Sequence, residues 1–188
     1  MLKHRVIPTL LLKQGGLVKT TKFKKPVYVG DPINAVRIFN EKEVDELIVL
    51  DINANKEGKS PDYSLIGKIA GECFMPFAYG GGIRTIEQAE RIFALGVEKI
   101  SLQTMAFHRP DFITELAEKF GSSSIIVSLD IKRDWLGKAQ IFREGKKLKI
   151  REHWSDVMKR LVDAGAGEVL LNSVDKDGMG EGYDINLI

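Results

Sequence analysis

The chain has 188 residues and a single cysteine, Cys73. One cysteine excludes an internal disulfide, and its apolar neighbours lead us to expect a buried thiol in a reducing, cytoplasmic setting. Net charge is equally scarce: 28 Lys and Arg against 26 Asp and Glu leave +2, too little to imply a nucleic-acid partner. No apolar run approaches the roughly 18 residues of a membrane span, and no secretory leader is expected. His4, His108 and His153 are scattered, so neither a metal site nor a cofactor can be argued from them. No Ser-His-Asp or Cys-His arrangement can be traced. What is present is 44% hydrophobic and 29% charged, the composition of a globular chain with one sizeable core.

The sequence repeats itself. Val6-Ile7-Pro8-Thr9-Leu10-Leu11-Leu12-Lys13 is matched by Ile125-Ile126-Val127-Ser128-Leu129-Asp130-Ile131-Lys132. Glu46-Leu47-Ile48-Val49-Leu50 leads into a polar loop at Asp51, and Glu168-Val169-Leu170-Leu171-Asn172 leads into another at Asp175 and Asp177. Each unit is an apolar strand, a polar loop and a helical stretch, which predicts a parallel β/α architecture built from two related halves. Chemistry in such folds sits where strands end. One position breaks the symmetry: Leu11 stands where the second half has Asp130.

Strands are expected near 5–11, 46–52, 76–80, 98–103, 124–130 and 168–173. These runs are rich in Val, Ile and Leu without polar alternation, as strands covered on both faces should be. Helices are expected to follow Asp31-Pro32, Ser60-Pro61, Thr85 (with Gln88 completing a capping box) and Pro110, and to occupy 152–164. Ala139 to Ile150 reads as a small inserted hairpin turning at Glu144-Gly145, and 183–188 as the start of another helix. Lys19 to Lys25 reads either as a solvated loop or as a loop that attracts an anionic substrate. The count is six βα units. An eight-unit barrel needs about 250 residues, so residues 1–188 are expected to be one incomplete barrel domain lacking two units: a fragment, an early stop, or a sheet completed by another chain.

Two constellations carry chemistry. Arg5, Glu46, Lys99 and Glu168 each precede or open an apolar run, which puts two cations and two anions at the N-terminal mouth of the strands. Taken singly, such charges flank strands only because strands end at solvent. Gly80-Gly81-Gly82 follows the third strand and precedes a helix. Three glycines are often just a tight turn, but their amides could also cradle a phosphate.

Several segments resemble one family in order: Lys3-His4-Arg5-Val6-Ile7-Pro8, Gly30-Asp31-Pro32, Glu46 to Asp51, Gly80 to Ile83, Val127 to Arg133 and Gly165 to Leu171. The resemblance is to the cyclase subunit of imidazole glycerol phosphate synthase, across the whole chain. It implies a (β/α)8 TIM barrel made by duplication, with a glutaminase docked at the barrel bottom. It implies that ammonia passes up the barrel to a phosphoribosyl-type ribonucleotide, which is cyclised and cleaved in histidine biosynthesis. Two aspartates, ending the first and fifth strands, would serve as acid and base. Asp130 matches one of them, and Leu11 replaces the other. Gly81, Gly82 and Thr104 match positions near a substrate phosphate, with Gln103 in place of an asparagine. Asp51, Asp175 and Asp177 fall on substrate-facing loops, and Met179 replaces a small hydroxyl residue. Arg5, Glu46, Lys99 and Glu168 match the ammonia gate.

Three functions follow from the resemblance. The first is a lyase-type subunit that channels ammonia to a different acceptor, phosphorylated or sugar-like, with a downstream amidotransferase as a further partner, as in sugar amidation. The second is an ordinary histidine-pathway cyclase. The third is a non-catalytic scaffold or activator of the glutaminase.

Overall fold

The structure is a computed structural model and describes residues 4–54, 58–143 and 152–188. The strands are β1 (Thr9–Lys13), β2 (Gly16–Thr21), β3 (Lys24–Gly30), β4 (Leu47–Asp51), β5 (Phe77–Gly80), β6 (Lys99–Leu102), β7 (Ile125–Arg133), β8 (Ala139–Ile141) and β9 (Glu168–Ser173). The helices are α1 (Pro32–Glu41), α2 (Tyr63–Glu72), α3 (Ile86–Ala94), α4 (Thr104–His108), α5 (Asp111–Phe120) and α6 (Trp154–Asp163). The chain divides into two compact units, Met1–Lys19 with Tyr28–Met105 and Thr20–Val27 with Ala106–Ile188.

In the first unit β1, β4, β5 and β6 run parallel, each paired with the next. The crossovers α1, α2 and α3 are fixed by caps. Asp31, Asp62 and Thr85 each accept a backbone N–H three residues on, and Gln88 closes a box by accepting from the Arg84 N–H. Strand residues such as Leu47, Val49 and Phe77 and helix residues such as Val36, Ile69 and Ile92 are fully buried. Each contributes about 1.5–3 kcal/mol by leaving water. In the second unit β7 and β9 run parallel, and α5 and α6 bury Phe112, Ile113, Leu116, Val157 and Leu161.

The parallel α/β expectation is met, with differences. β1 begins at Thr9 rather than near residue 5, because Pro8 has no N–H to give a ladder. Its carbonyl still accepts from the Ile48 N–H. The Lys-rich stretch is not a loop: β2 and β3 flank a turn at Lys22 and Phe23, both at positive φ (51° and 59°). β2 lies antiparallel to β1, with Leu12 opposite Leu17. β8 likewise lies antiparallel to the end of β7, Ile131 opposite Ile141. Of the expected hairpin, only the first arm is described, and its partner is β7; 144–151 lie outside the described residues. Residues 174–188 form turns, not the helix expected at 183–188. Cys73 is half-buried at the end of α2 rather than in the core. No described helix is long and apolar enough to cross a membrane.

Candidate functional site

The second unit gathers most of the site at the C-terminal ends of β7 and β9. Asp130 and Asn172 are register partners, and the Asn172 amide donates to Asp130 Oδ1 at 2.8 Å. That contact fixes the orientation of the carboxylate. Phe142 follows β8 and donates its N–H to the Asp130 carbonyl at 2.7 Å. Its ring meets Phe23 edge to face at 6.3 Å, and Lys132 Nζ lies 5.3 Å from its centre. A cavity of about 370 Å³ opens beside these groups, lined by Phe23, Leu171, Asn172, Ser173, Lys176 and Asp177 together with Gly182, Tyr183, Asp184, Leu187 and Ile188. That volume is within the range of small-molecule sites.

Asp175 and Asp177, expected to face substrate, each spend a carboxylate oxygen on the chain itself. Asp175 Oδ2 accepts the Arg133 N–H at 2.7 Å. Asp177 Oδ2 accepts from Thr20 Oγ1 at 2.8 Å and from the Phe23 N–H at 2.9 Å, and its carbonyl accepts from the Lys22 N–H at 3.0 Å. Asp177 is therefore the latch of the β2–β3 turn. Gly178 makes the close approach possible: its φ is +66°, and a Cβ there would sit 2.1 Å from the Thr20 carbonyl oxygen. Arg133 is clasped by both oxygens of Asp184, at 3.0 and 3.1 Å, and Ser173 Oγ donates to the same carboxylate. Met179 is partly exposed.

In the first unit, Gly81, Gly82, Gln103 and Thr104 line one cleft at the ends of β5 and β6. It measures about 10 Å³, room for about one water-sized group. The glycines are required by packing. A Cβ on Gly81 would lie 2.7 Å from the Asp51 carbonyl oxygen, and one on Gly82 would lie 2.9 Å from the Lys59 carbonyl oxygen. Asp51 Oδ1 accepts the N–H groups of Asn53 and Ala54, at 2.9 and 3.0 Å, and so shapes its own turn. Leu11 is half-buried opposite Leu50, one residue before β4 ends. Tyr79, on β5, is buried, with its hydroxyl in the field of Asp51 and of Asp62 at the start of α2. Burial pushes its ionisation far above the ordinary phenol range, and among the described residues it has no hydrogen-bond partner.

At the opposite ends of the same strands, Glu46 is 2% exposed and shares Oε2 between Arg5 Nη1 at 3.0 Å and Lys99 Nζ at 2.7 Å. Among the described residues, its Oε1 is buried without a hydrogen-bond partner. Three of the four expected mouth charges thus form one cluster. Glu168 opens β9 in the second unit, with Ile126 as its register partner.

Sequence reasoning gave no role to Asn172, Phe23, Phe142 or Lys132. Lys132 and Asn172 lay in plain view inside the repeated segments. Phe23 was hidden in the lysine run.

Parallel βα units, with polar groups gathered at their strand ends, define a parallel β/α class of protein. Residues 5–188 match the family described as Histidine biosynthesis protein, and the chain belongs to that family, among its HisF-like members. The family fold is the TIM barrel. A protein of Pseudomonas aeruginosa with the provisional name imidazole glycerol phosphate synthase subunit hisF2 is 52% identical over 188 residues, all of this chain and 75% of that relative. A Leptospira interrogans protein, provisionally named subunit HisF of the same synthase, is 51% identical over 189 residues, 100% of this chain and 74% of its own length. Imidazole glycerol phosphate synthase subunit HisF of Streptococcus sanguinis is 36% identical over 188 residues, again all of this chain and 75% of the relative.

Proposed function

We propose that the protein is the acceptor-side subunit of a glutamine-dependent amination system, taking ammonia from a glutaminase partner at the strand N-termini. The ammonia goes to a small phosphorylated or sugar-type substrate at the strand C-termini. The observation that carries this reading is the buried Glu46 held between Arg5 and Lys99. A carboxylate is costly to bury unless it is paired. A cluster of this kind at a strand mouth is a narrow polar constriction rather than a greasy plug. Arg5, Glu46, Lys99 and Glu168 are the residues we assign to the gate.

At the other end, Asp130 is the catalytic group, oriented by Asn172. We assign substrate contacts to Gly81, Gly82, Gln103, Thr104 and Asp51 in the first unit and to Asp175 and Asp177 in the second. Leu11 cannot move a proton, and loss of a general acid or base costs about 10²–10⁴-fold. Autonomous cyclisation of the histidine-pathway nucleotide is therefore outside this chain's capacity, and a downstream amidotransferase is the natural user of the ammonia.

The test is Arg5→Met. Arg5 is 47% exposed, so its pairing contributes only about 0–1 kcal/mol and the fold should survive. With the glutaminase and the acceptor enzyme present, glutamate release should continue while amination from glutamine falls. Amination from free ammonia should stay at the wild-type rate. Unchanged coupling between the two products would overturn the gate.

A further inference from the structure

We infer that Arg143 and His108, together with Phe107, form an oxyanion receptor beside the candidate active site. It goes beyond the ammonia route and does not depend on it. Arg143 directly follows Phe142, the residue bonded to the Asp130 carbonyl, so it stands at the C-terminal strand ends of the second unit. Its Nη2 lies 2.9 Å from His108 Nε2, and its guanidinium carbon lies 5.2 Å from the centre of the Phe107 ring. The aromatic face holds the guanidinium plane in one orientation.

The partner choice is what points to a ligand. Among the described residues, Arg143 meets no carboxylate; its polar partner is an imidazole nitrogen. An arginine N–H must donate, so His108 Nε2 accepts with its lone pair and the ring proton sits on Nδ1. A neutral nitrogen is a weak acceptor beside an oxyanion, since charge-assisted hydrogen bonds are roughly twice as strong. Partial burial lowers the Arg143 pKa, because desolvation disfavours the charged guanidinium. A phosphate group would accept from the guanidinium fork and take the place of the imidazole lone pair. His108, protonated or turned to its other tautomer, would then donate Nε2–H to the same anion. The chemical class is a phosphate monoester, and Lys132 nearby on β7 adds positive potential.

The test uses the full chain and inorganic phosphate, titrated at constant ionic strength. Imidazole nitrogen resonances are read by NMR. The chain has three histidines, so each reports separately. His108 should shift saturably while His4 and His153 stay still. Arg143→Met should weaken that response at least tenfold. Arg143→Lys, which keeps the charge but not the fork, should weaken it less. Equal drifts in all three histidines, or a His108 response untouched by Arg143→Met, would overturn the receptor. Neither outcome bears on the gate, which Arg5→Met reads by glutamate and amine release.

Discussion

Removing Lys99 should cost more stability than any other single change at the strand mouth. Lys99 Nζ lies 2.7 Å from Glu46 Oε2, and the two side chains are 14% and 2% exposed. At an effective dielectric of ~20 the Coulomb attraction at that distance is about 6 kcal/mol, much of it offset by the desolvation of both ions. Lys99→Met leaves that desolvation in place and deletes the attraction. Among the described residues, Glu46 would keep only Arg5 and would still have Oε1 without a partner. Orphaning one member of a buried pair costs roughly 3–5 kcal/mol, and the remaining Arg5 contact puts this case near 3. With a urea m-value of about 2 kcal/mol/M, the midpoint should fall by about 1.5 M. Glu46→Met should cost less, because a lysine at the mouth can reach water with its long stem. The double variant should be more stable than Lys99→Met alone, since it removes both buried charges. Urea melts of the four proteins make a double-mutant cycle. A Lys99→Met midpoint within about 0.3 M of wild type, or about 0.6 kcal/mol by the same slope, would refute the reasoning. So would additive costs in the double variant.

Two smaller predictions concern other places. Burial pushes the Cys73 thiol up to about 11, so at pH 8 iodoacetamide should label it about 100-fold more slowly in the folded chain than in urea, by the tenfold-per-unit rule of thiolate fraction; similar rates would show an open thiol. Gly178→Ala adds a Cβ 2.1 Å from the Thr20 carbonyl at a φ of +66°, so it should release the β2–β3 turn and speed tryptic cleavage after Lys22 and Lys24 several-fold. An unchanged cleavage pattern would mean that Asp177 does not hold the turn.

The elements that sequence reading recovered are those whose neighbours do not matter. β4, β5, β6, β7 and β9 are continuous apolar runs, and the helices after Asp31-Pro32, Ser60-Pro61 and Thr85 and over 152–164 could be read from local signals, although the caps of the second and last are Asp62 and His153. β3 was illegible for a physical reason: none of its seven residues is buried, so no hydrophobic face marks it. β2 does bury Leu17, Val18 and Thr20, but Lys19 and Lys22 mask the alternation. The site divides in the same way. Glu46, Lys99 and Asp130 could be read because each sits at the edge of an apolar run. The latch at Asp177 could not, because its partners Thr20 and Phe23 lie more than 150 residues away in sequence.

The duplication explains why a chain with a leucine at position 11 still builds a site. In the first half Thr9 pairs with Ile48 and Leu11 with Leu50; in the second Ser128 pairs with Leu170 and Asp130 with Asn172. These are equivalent pairs under the sequence repeat, so the two halves share strand register as well as pattern. Each also sends an antiparallel strand back along the end of its first parallel strand, β2 along β1 and β8 along β7. The scaffold is therefore doubled, but the polar pair is present once. Asp130 meets an amide where Leu11 meets a methyl-bearing side chain. A one-residue slip would turn every strand residue to the other face, so the retained register keeps position 11 beside the strand end even with an apolar occupant. The first half contributes packing, the glycine-lined cleft and the buried charges at its mouth, while the fixed carboxylate and the larger cavity belong to the second. On the function proposed above, Leu11 would remove a proton-transfer step while leaving the strand register of the first half intact.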